Sequence, residues 1–210
     1  DDPTQVDPLM RRAAKSVNFG VVYGLGARGL SSQLSEEFDR DVSLDEAEHY
    51  IAAFYQRFPG VEDWQMRVRD FASRHGYVYT WFGRRRDIAN AMISPKDKSR
   101  NHLREAALRQ ACNTPIQGTA SDFTLVSLIA LTKLFKQRFS GAARIVLTVH
   151  DSLLFEVKDA VLNKAVKLAA FVMRNEPLRW IGGAKRMRGV PVLVEAKVGL
   201  NWQDMEPFVL

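Results

Sequence analysis

Residues 7–26 read DPLMRRAAKSVNFGVVYGLG. Asp7 is a helix-capping residue type, and Pro8 suits the first helical position. Gly24 and Gly26 supply natural stops. On a helical wheel with Arg11 at zero, Lys15, Phe19, Arg12 and Tyr23 fall between about 40° and 120°. Met10, Ala13, Ala14, Val17 and Val21 fall between about 200° and 300°. The spacing predicts a helix with one apolar face packed inward. The opposite face carries three cations and two aromatic rings.

A solvated face ordinarily mixes its charges and carries few rings. Here Arg11, Arg12 and Lys15 offer donors to phosphate, and Lys15 is a compact point charge. Phe19 lies one turn beyond Lys15, where a ring can stack on a base or sugar, and Tyr23 follows a turn later. A polyphosphate at one end and a base at the other fit this ladder. A basic surface helix with its aromatics tucked under a neighbour fits the same geometry.

The string Arg11-x3-Lys15-x3-Phe19-Gly20-x2-Tyr23-Gly24 resembles motif B of family A DNA polymerases, the bacterial polymerase I type. The resemblance implies a nucleotide-binding helix of the fingers subdomain.

Composition sets wider bounds. At 210 residues the chain has room for one large or two small domains, and it is 46% hydrophobic, enough for a sizeable core. The net charge of +6 favours a polyanionic partner. Most of the excess sits between Arg84 and Arg109, where eight Lys/Arg face three Asp/Glu. Cys112 is the only cysteine, so there is no intrachain disulfide and no cysteine metal cluster. A cytoplasmic setting is expected, the bacterial nucleoid or, for a viral protein, the host cytoplasm. No apolar run reaches the ~18 residues of a membrane span, and no signal peptide is visible.

Along the chain, residues 1–6 read as a polar lead-in and 27–40 as a short helix. Ser43 caps a further helix, with Glu46 at the capping-box position and Ala47, Tyr50, Ile51 and Phe54 at helical spacing. Phe58-Pro59-Gly60 breaks the pattern. A helix from about Val61 to His75 is expected to place Trp64, Val68 and Phe71 on its packed face. Gly76 to Arg86, GYVYTWFGRRR, alternates like a ribbon and ends in a triple arginine, either a phosphate-contacting edge or a solvated charge run. Residues 87–98 read as a loop. A helix from Ser99 to Cys112 is expected to break at Pro115, and Thr119 or Ser121 to cap a long apolar helix reaching Phe139.

Arg109, Asn113 and Gln117 recur at intervals of four across that break, with side chains able to reach minor-groove acceptors or, equally, to cap helix ends. RIVLTVHDSLLFEV, 144–157, is two β-rich runs around His150-Asp151, which reads as a tight hairpin. A carboxylate at such a tip suits a Mg²⁺ ligand, although Asp is also a common turn residue. A helix at 158–180, a basic loop at 182–189 and a final strand at 191–198 complete the reading, with Trp202 and the apolar tail pinning the end.

These later stretches extend the family resemblance. The aromatic-Gly-Arg-Arg string is similar to one in the family. Arg109 to Asp122 resembles its duplex-contacting segment, and Val149-His150-Asp151 resembles motif C of the palm. The resemblance implies an α+β fold, with helical fingers at 1–98 followed by the C-terminal half of an antiparallel palm at 99–210. It implies that Arg11, Lys15, Phe19 and Tyr23 bind a dNTP and that Arg12, Arg109, Asn113, Gln117 and His150 contact primer–template DNA. Asp151 and Lys15 would be catalytic, with Asp151 a ligand in a site for two Mg²⁺ ions. Ser152 departs from the usual His-Asp-Glu of the bacterial enzymes. No motif A string, the family's source of a second carboxylate, occurs in these residues. A further polymerase segment carrying motif A and the thumb is therefore an expected partner. Two alternatives share part of the pattern: a phage-type single-subunit RNA polymerase, which uses His-Asp-Ser, and a non-catalytic DNA-binding remnant.

Overall fold

Helix α1 (Pro8–Val22) begins as its sequence predicts, with the Asp7 carboxylate accepting from the Leu9 N–H at 3.0 Å and Pro8 in the first turn. It ends in a Schellman turn. Gly24 adopts φ +82°, its N–H donates to Val21 O at 2.9 Å, and the Leu25 N–H donates to Gly20 O at 2.8 Å. The computed structural model describes residues 7–183 and 190–210, so the lead-in and most of the basic loop read at 182–189 lie outside the described residues.

The helices α2 (Ala27–Phe38), α3 (Leu44–Arg57) and α4 (Pro59–His75) follow. With α1 they enclose a core of Val21, Leu30, Leu34, Val42, Ala47 and Phe54. Ser43 caps α3 by accepting from the Glu46 N–H at 3.1 Å. The capping box is only half formed, because the Glu46 carboxylate turns to Arg40 at 2.6 Å instead. Helix α4 begins at Pro59 rather than Val61, since proline at the first position needs no N–H partner. Its inward face is Gln65, Val68 and Ala72, not the expected Trp64, Val68 and Phe71. Phe71 is exposed, packed instead against rings of its own neighbourhood.

On α1 the buried stripe is also rotated from the wheel. Ala13, Ser16 and Val21 are buried, while Met10 and Ala14 stay exposed along an apolar groove with Phe38, Phe54 and Phe58. Polar partners on α2 draw Ser16 inward: its hydroxyl donates to Glu37, and Gln33 Nε2 donates to it at 3.1 Å.

Strands β1 (Tyr77–Tyr79) and β2 (Arg85–Asp87) form an antiparallel hairpin, in register Tyr77↔Asp87 and Tyr79↔Arg85. Helix α5 (Asn101–Asn113) packs beside α4, tied by the Arg69–Glu105 ion pair at 2.6 Å. Packing therefore groups α5 with the preceding helices. The chain forms two compact units, Asp1–Thr80 with Arg84–Ile116, and Trp81–Gly83 with Gln117–Leu210.

Pro115 does not break the helix. Thr114–Gly118 widens into a π turn that leads directly into α6 (Thr119–Phe139). A proline ring in an α-helix clashes with the carbonyl four residues back; the wider turn removes that clash. Neither Thr119 nor Ser121 caps α6. The Thr119 hydroxyl instead accepts the Trp81 N–H at 2.9 Å. The continuous run 98–139 is long and apolar enough to span a membrane by length and composition alone, yet Leu131 and Phe135 are buried in the second unit's own core.

That core is completed by β3 (Ala143–Val149), β4 (Ser152–Val157) and α7 (Leu162–Trp180), whose Ala165, Ala169 and Val172 face α6 and the hairpin. The expected final strand is shorter, β5 (Ala196–Gly199), and pairs with a further strand, β6 (Met205–Phe208). Gly199 is required there, because any Cβ would collide with the Asp204 carbonyl. Trp202 lies in the connecting turn and stays exposed rather than pinning the end. Among the described residues the strands pair as three separate two-stranded antiparallel ribbons, and the fold is α+β.

Candidate nucleotide and nucleic-acid site

The first unit presents the polar face of α1 as a connected ladder. Lys15 Nζ stands 5.7 Å from the Phe19 ring centroid. Phe19 and Tyr23 stack, with centroids 6.1 Å apart and planes 11° from parallel. Phe19 is half exposed, so it is not an aromatic tucked under a neighbour. Arg11, Arg12 and Lys15 are exposed and form no ion pair among the described residues, whereas Arg40, Arg69, Arg74, Arg85, Arg100, Arg104, Arg144 and Arg179 all do. Unpaired cations beside a half-exposed ring can receive a phosphate chain and a base.

Sequence reasoning missed what fixes this ladder. Gln65, buried on α4, donates through Nε2 to Val21 O at 2.6 Å and Val22 O at 2.8 Å, and its Oε1 accepts the Tyr55 hydroxyl at 2.7 Å. The last carbonyls of α1, from Phe19 to Val22, are therefore all satisfied, and the end carrying Tyr23 is held in place. Burial pushes the Tyr55 phenol above its ordinary pKa, so it stays a donor. No sequence pattern flags Gln65, since a polar residue at an inward position is visible only once α4 and α1 are packed.

Arg109 is exposed on α5, and a Cβ at Gly24 would stand 3.8 Å from its stem and 3.8 Å from the Arg69 guanidinium. Two arginines thus flank the turn after Tyr23, and Arg69 is the one the sequence did not single out. Asn113 is half-buried, and its Oδ1 is sealed from solvent without a hydrogen-bond partner. Cys112 beside it is buried, and burial pushes its thiol up, which removes it as a nucleophile.

In the second unit, Gln117 is exposed within the π turn. His150 and Asp151 form a two-residue turn closing β3 and β4, with Val149 paired to Ser152. His150 takes φ +54°, a left-handed conformation uncommon outside glycine that clusters at functional sites. Both tip residues are exposed, and Asp151 has no ion-pair partner among the described residues. Glu156 is not a second ligand candidate, because Arg144 Nε binds its carboxylate at 2.7 Å. No group of three or more His, Cys, Asp or Glu gathers among the described residues. The units thus present one anion-receiving ladder and one free carboxylate on a rigid tip.

Residues 1–204 match the sequence profile of DNA polymerase family A. The chain belongs to DNA polymerase family A. It is 41% identical over 207 residues to the thermostable DNA polymerase I of Thermus filiformis, covering 97% of this chain and 22% of that protein. It is 34% identical over 209 residues to the DNA polymerase I of Chloroflexus aurantiacus, covering 20% of that protein. The chain thus spans about a fifth of the length of these relatives. Among solved structures, the polymerase domain of Pol1 from M. smegmatis, in complex with DNA primer-template and dNTP, superposes with a TM-score of 0.70 at 37% identity. That match covers 81% of this chain and 28% of the other.

Proposed function

We propose that this chain supplies the nucleotide-binding fingers, residues 1–98, and the C-terminal half of the palm, residues 99–210, of a template-directed DNA polymerase. The Lys15–Phe19–Tyr23 ladder on α1 carries this reading. Arg11 and Lys15 hold the triphosphate and neutralise the charge that builds as pyrophosphate leaves. Phe19 stacks on the incoming dNTP, and Tyr23 borders the templating position. Arg12, Arg109, Asn113, Gln117 and His150 hold the primer–template. The orphaned Asn113 Oδ1 supports this, since a buried acceptor without a partner gains from a bound donor. Membership of a DNA polymerase family supports dNTPs over rNTPs as substrates. The proposed setting is the cytoplasm, where dNTPs and primed DNA are present.

Asp151 suits Mg²⁺, a hard cation that binds through one or two carboxylates plus substrate phosphates, because its carboxylate is exposed, uncommitted and rigidly held. Two such ions, when bound, supply charge stabilisation at the attacking and leaving oxygens. One carboxylate does not serve both, and Ser152 adds no charge. The second is drawn from a motif A segment outside residues 1–210. The outer edges of β4 and β5 have no strand partner among the described residues. A cleft of about 400 Å³ lined by Asp151, Leu153, Phe155, Val194 and Lys197 leaves room beside them for such a strand.

Primer extension tests the ladder. With the chain joined to a motif A segment, Lys15→Ala is expected to slow dNTP addition by about 100-fold or more while primed-duplex affinity stays within twofold. Equal loss in both would remove Lys15 from the nucleotide and leave it a duplex contact.

A further inference from the structure

The first unit carries a second array of rings that the nucleotide ladder does not use. Phe71 and His75, one turn apart on α4, have centroids 4.4 Å apart. Gly76, at φ +72°, reverses the chain into β1. Tyr77 then meets Phe71 edge-on at 5.5 Å, and Tyr79 meets Tyr77 edge-on at 5.3 Å. From β2, the Arg85 guanidinium lies over the Tyr77 ring at 4.0 Å, held by Asp87 at 2.8 Å. Tyr77 and Tyr79 share one face of the hairpin, while Val78 on the other face is buried in the core. The array is therefore the outward side of a fixed element. Phe71 and Tyr79 remain 36% and 45% exposed, so hydrophobic burial does not account for it.

Charge narrows the occupant. Between residues 67 and 87 the sequence carries six arginines against two aspartates; Arg69, Arg74 and Arg85 are ion-paired, with Glu105, Asp70 and Asp87, which leaves the stretch net positive. Ring faces beside guanidinium groups suit a polyanion whose bases are free to stack. A duplex keeps its base faces covered, so the match is to a single strand. We propose that Phe71, Tyr77, Tyr79 and Arg85 form a stacking platform for single-stranded nucleic acid. If the polymerase reading holds, that strand is the unpaired template. Gln65 on α4 clamps the end of α1, and Phe71 to His75 lie six to ten residues further on, about 9–15 Å along the helix. The platform thus stands a few nucleotides from the Tyr23 turn.

The test is fluorescence anisotropy of a labelled oligo-dT and of a blunt duplex, each with the full chain. Tyr79→Ala and Arg85→Ala are each expected to weaken oligo-dT binding about tenfold or more and to leave duplex binding within twofold. Trp180→Ala, an exposed ring in the other unit, serves as control and is expected to change neither. Unchanged oligo-dT binding in both variants, or equal loss for duplex, overturns the platform. Matching circular-dichroism melts establish that each variant is folded. The platform and the polymerase reading fail separately. Loss of oligo-dT binding in a chain whose ladder variants never alter nucleotide addition keeps the platform and rejects the polymerase. Nucleotide addition on long-overhang templates that is indifferent to Tyr79→Ala, with oligo-dT binding also unchanged, does the reverse.

Discussion

In the chain joined to a motif A segment, Asp151→Asn is expected to lower primer extension about a thousandfold or more while primed DNA remains bound. The change keeps the side chain's shape and removes only its charge. In two-metal phosphoryl transfer the carboxylate offsets the charge of the ions it holds, and losing one such electrostatic contact costs several kcal/mol of transition-state stabilisation. The fold has no stake in the substitution. Asp151 is exposed at the tip of the β3–β4 hairpin, without an ion pair among the described residues, so the thermal midpoint is expected to stay put. Single-turnover extension with Mg²⁺ and dNTPs, alongside duplex binding and a melt, checks all three. Extension by the chain alone that vanishes in the variant would locate the second carboxylate within these residues. A variant that extends within tenfold of the parent would remove Asp151 from the metal site.

What the sequence disclosed depended on how local the determining physics was. Asp7 and Pro8 start α1, and the glycine after Tyr23 ends it, through contacts only a few residues apart. The His150–Asp151 turn was legible for the same reason: two β-rich runs separated by two residues can pair in one tight register. The ladder of Lys15, Phe19 and Tyr23 follows from helical periodicity alone. Misreadings arose where a distant partner decided the outcome. Phe71 has the spacing of a core residue on α4, but the β1–β2 hairpin offers it rings on the outside, and Ala72 takes the inward place. Pro115 reads as a stop, yet a single wide turn carries the helix through it. Ser16 sits at the margin of the apolar stripe and is drawn inward by Gln33 and Glu37 of α2. Arg69 gains its place beside Gly24 only after α4 has packed.

Gln65 is the strongest case of such a partner-dependent residue, and replacing it separates two costs. Gln65→Ala leaves Val22 O and the Tyr55 hydroxyl without their present partners, while Val21 O keeps the Gly24 N–H. A buried group left unsatisfied costs about 1–3 kcal/mol; these two are part-buried and can turn to water, so the expected loss is about 1–3 kcal/mol in urea unfolding. Gln65→Glu is expected to cost more at neutral pH, because a buried carboxylate would then face two carbonyl oxygens where an amide donated. Its sign with pH is fixed. Burial and the carbonyls raise the folded-state pKa of the introduced glutamic acid above its unfolded value of about 4.3. The folded variant then binds more protons than the unfolded chain, so its stability falls as pH rises from the unfolded pKa through the folded one. The gap to the parent protein is expected to narrow on acidification towards about pH 4.3, where the protonated acid can again donate one hydrogen bond. A gap independent of pH would mean that the side chain has swung to solvent and the clamp has opened. Both variants are expected to raise the dNTP KM, since the Tyr23 end of the ladder loses its anchor; a stability loss with KM unchanged would confine Gln65 to the core.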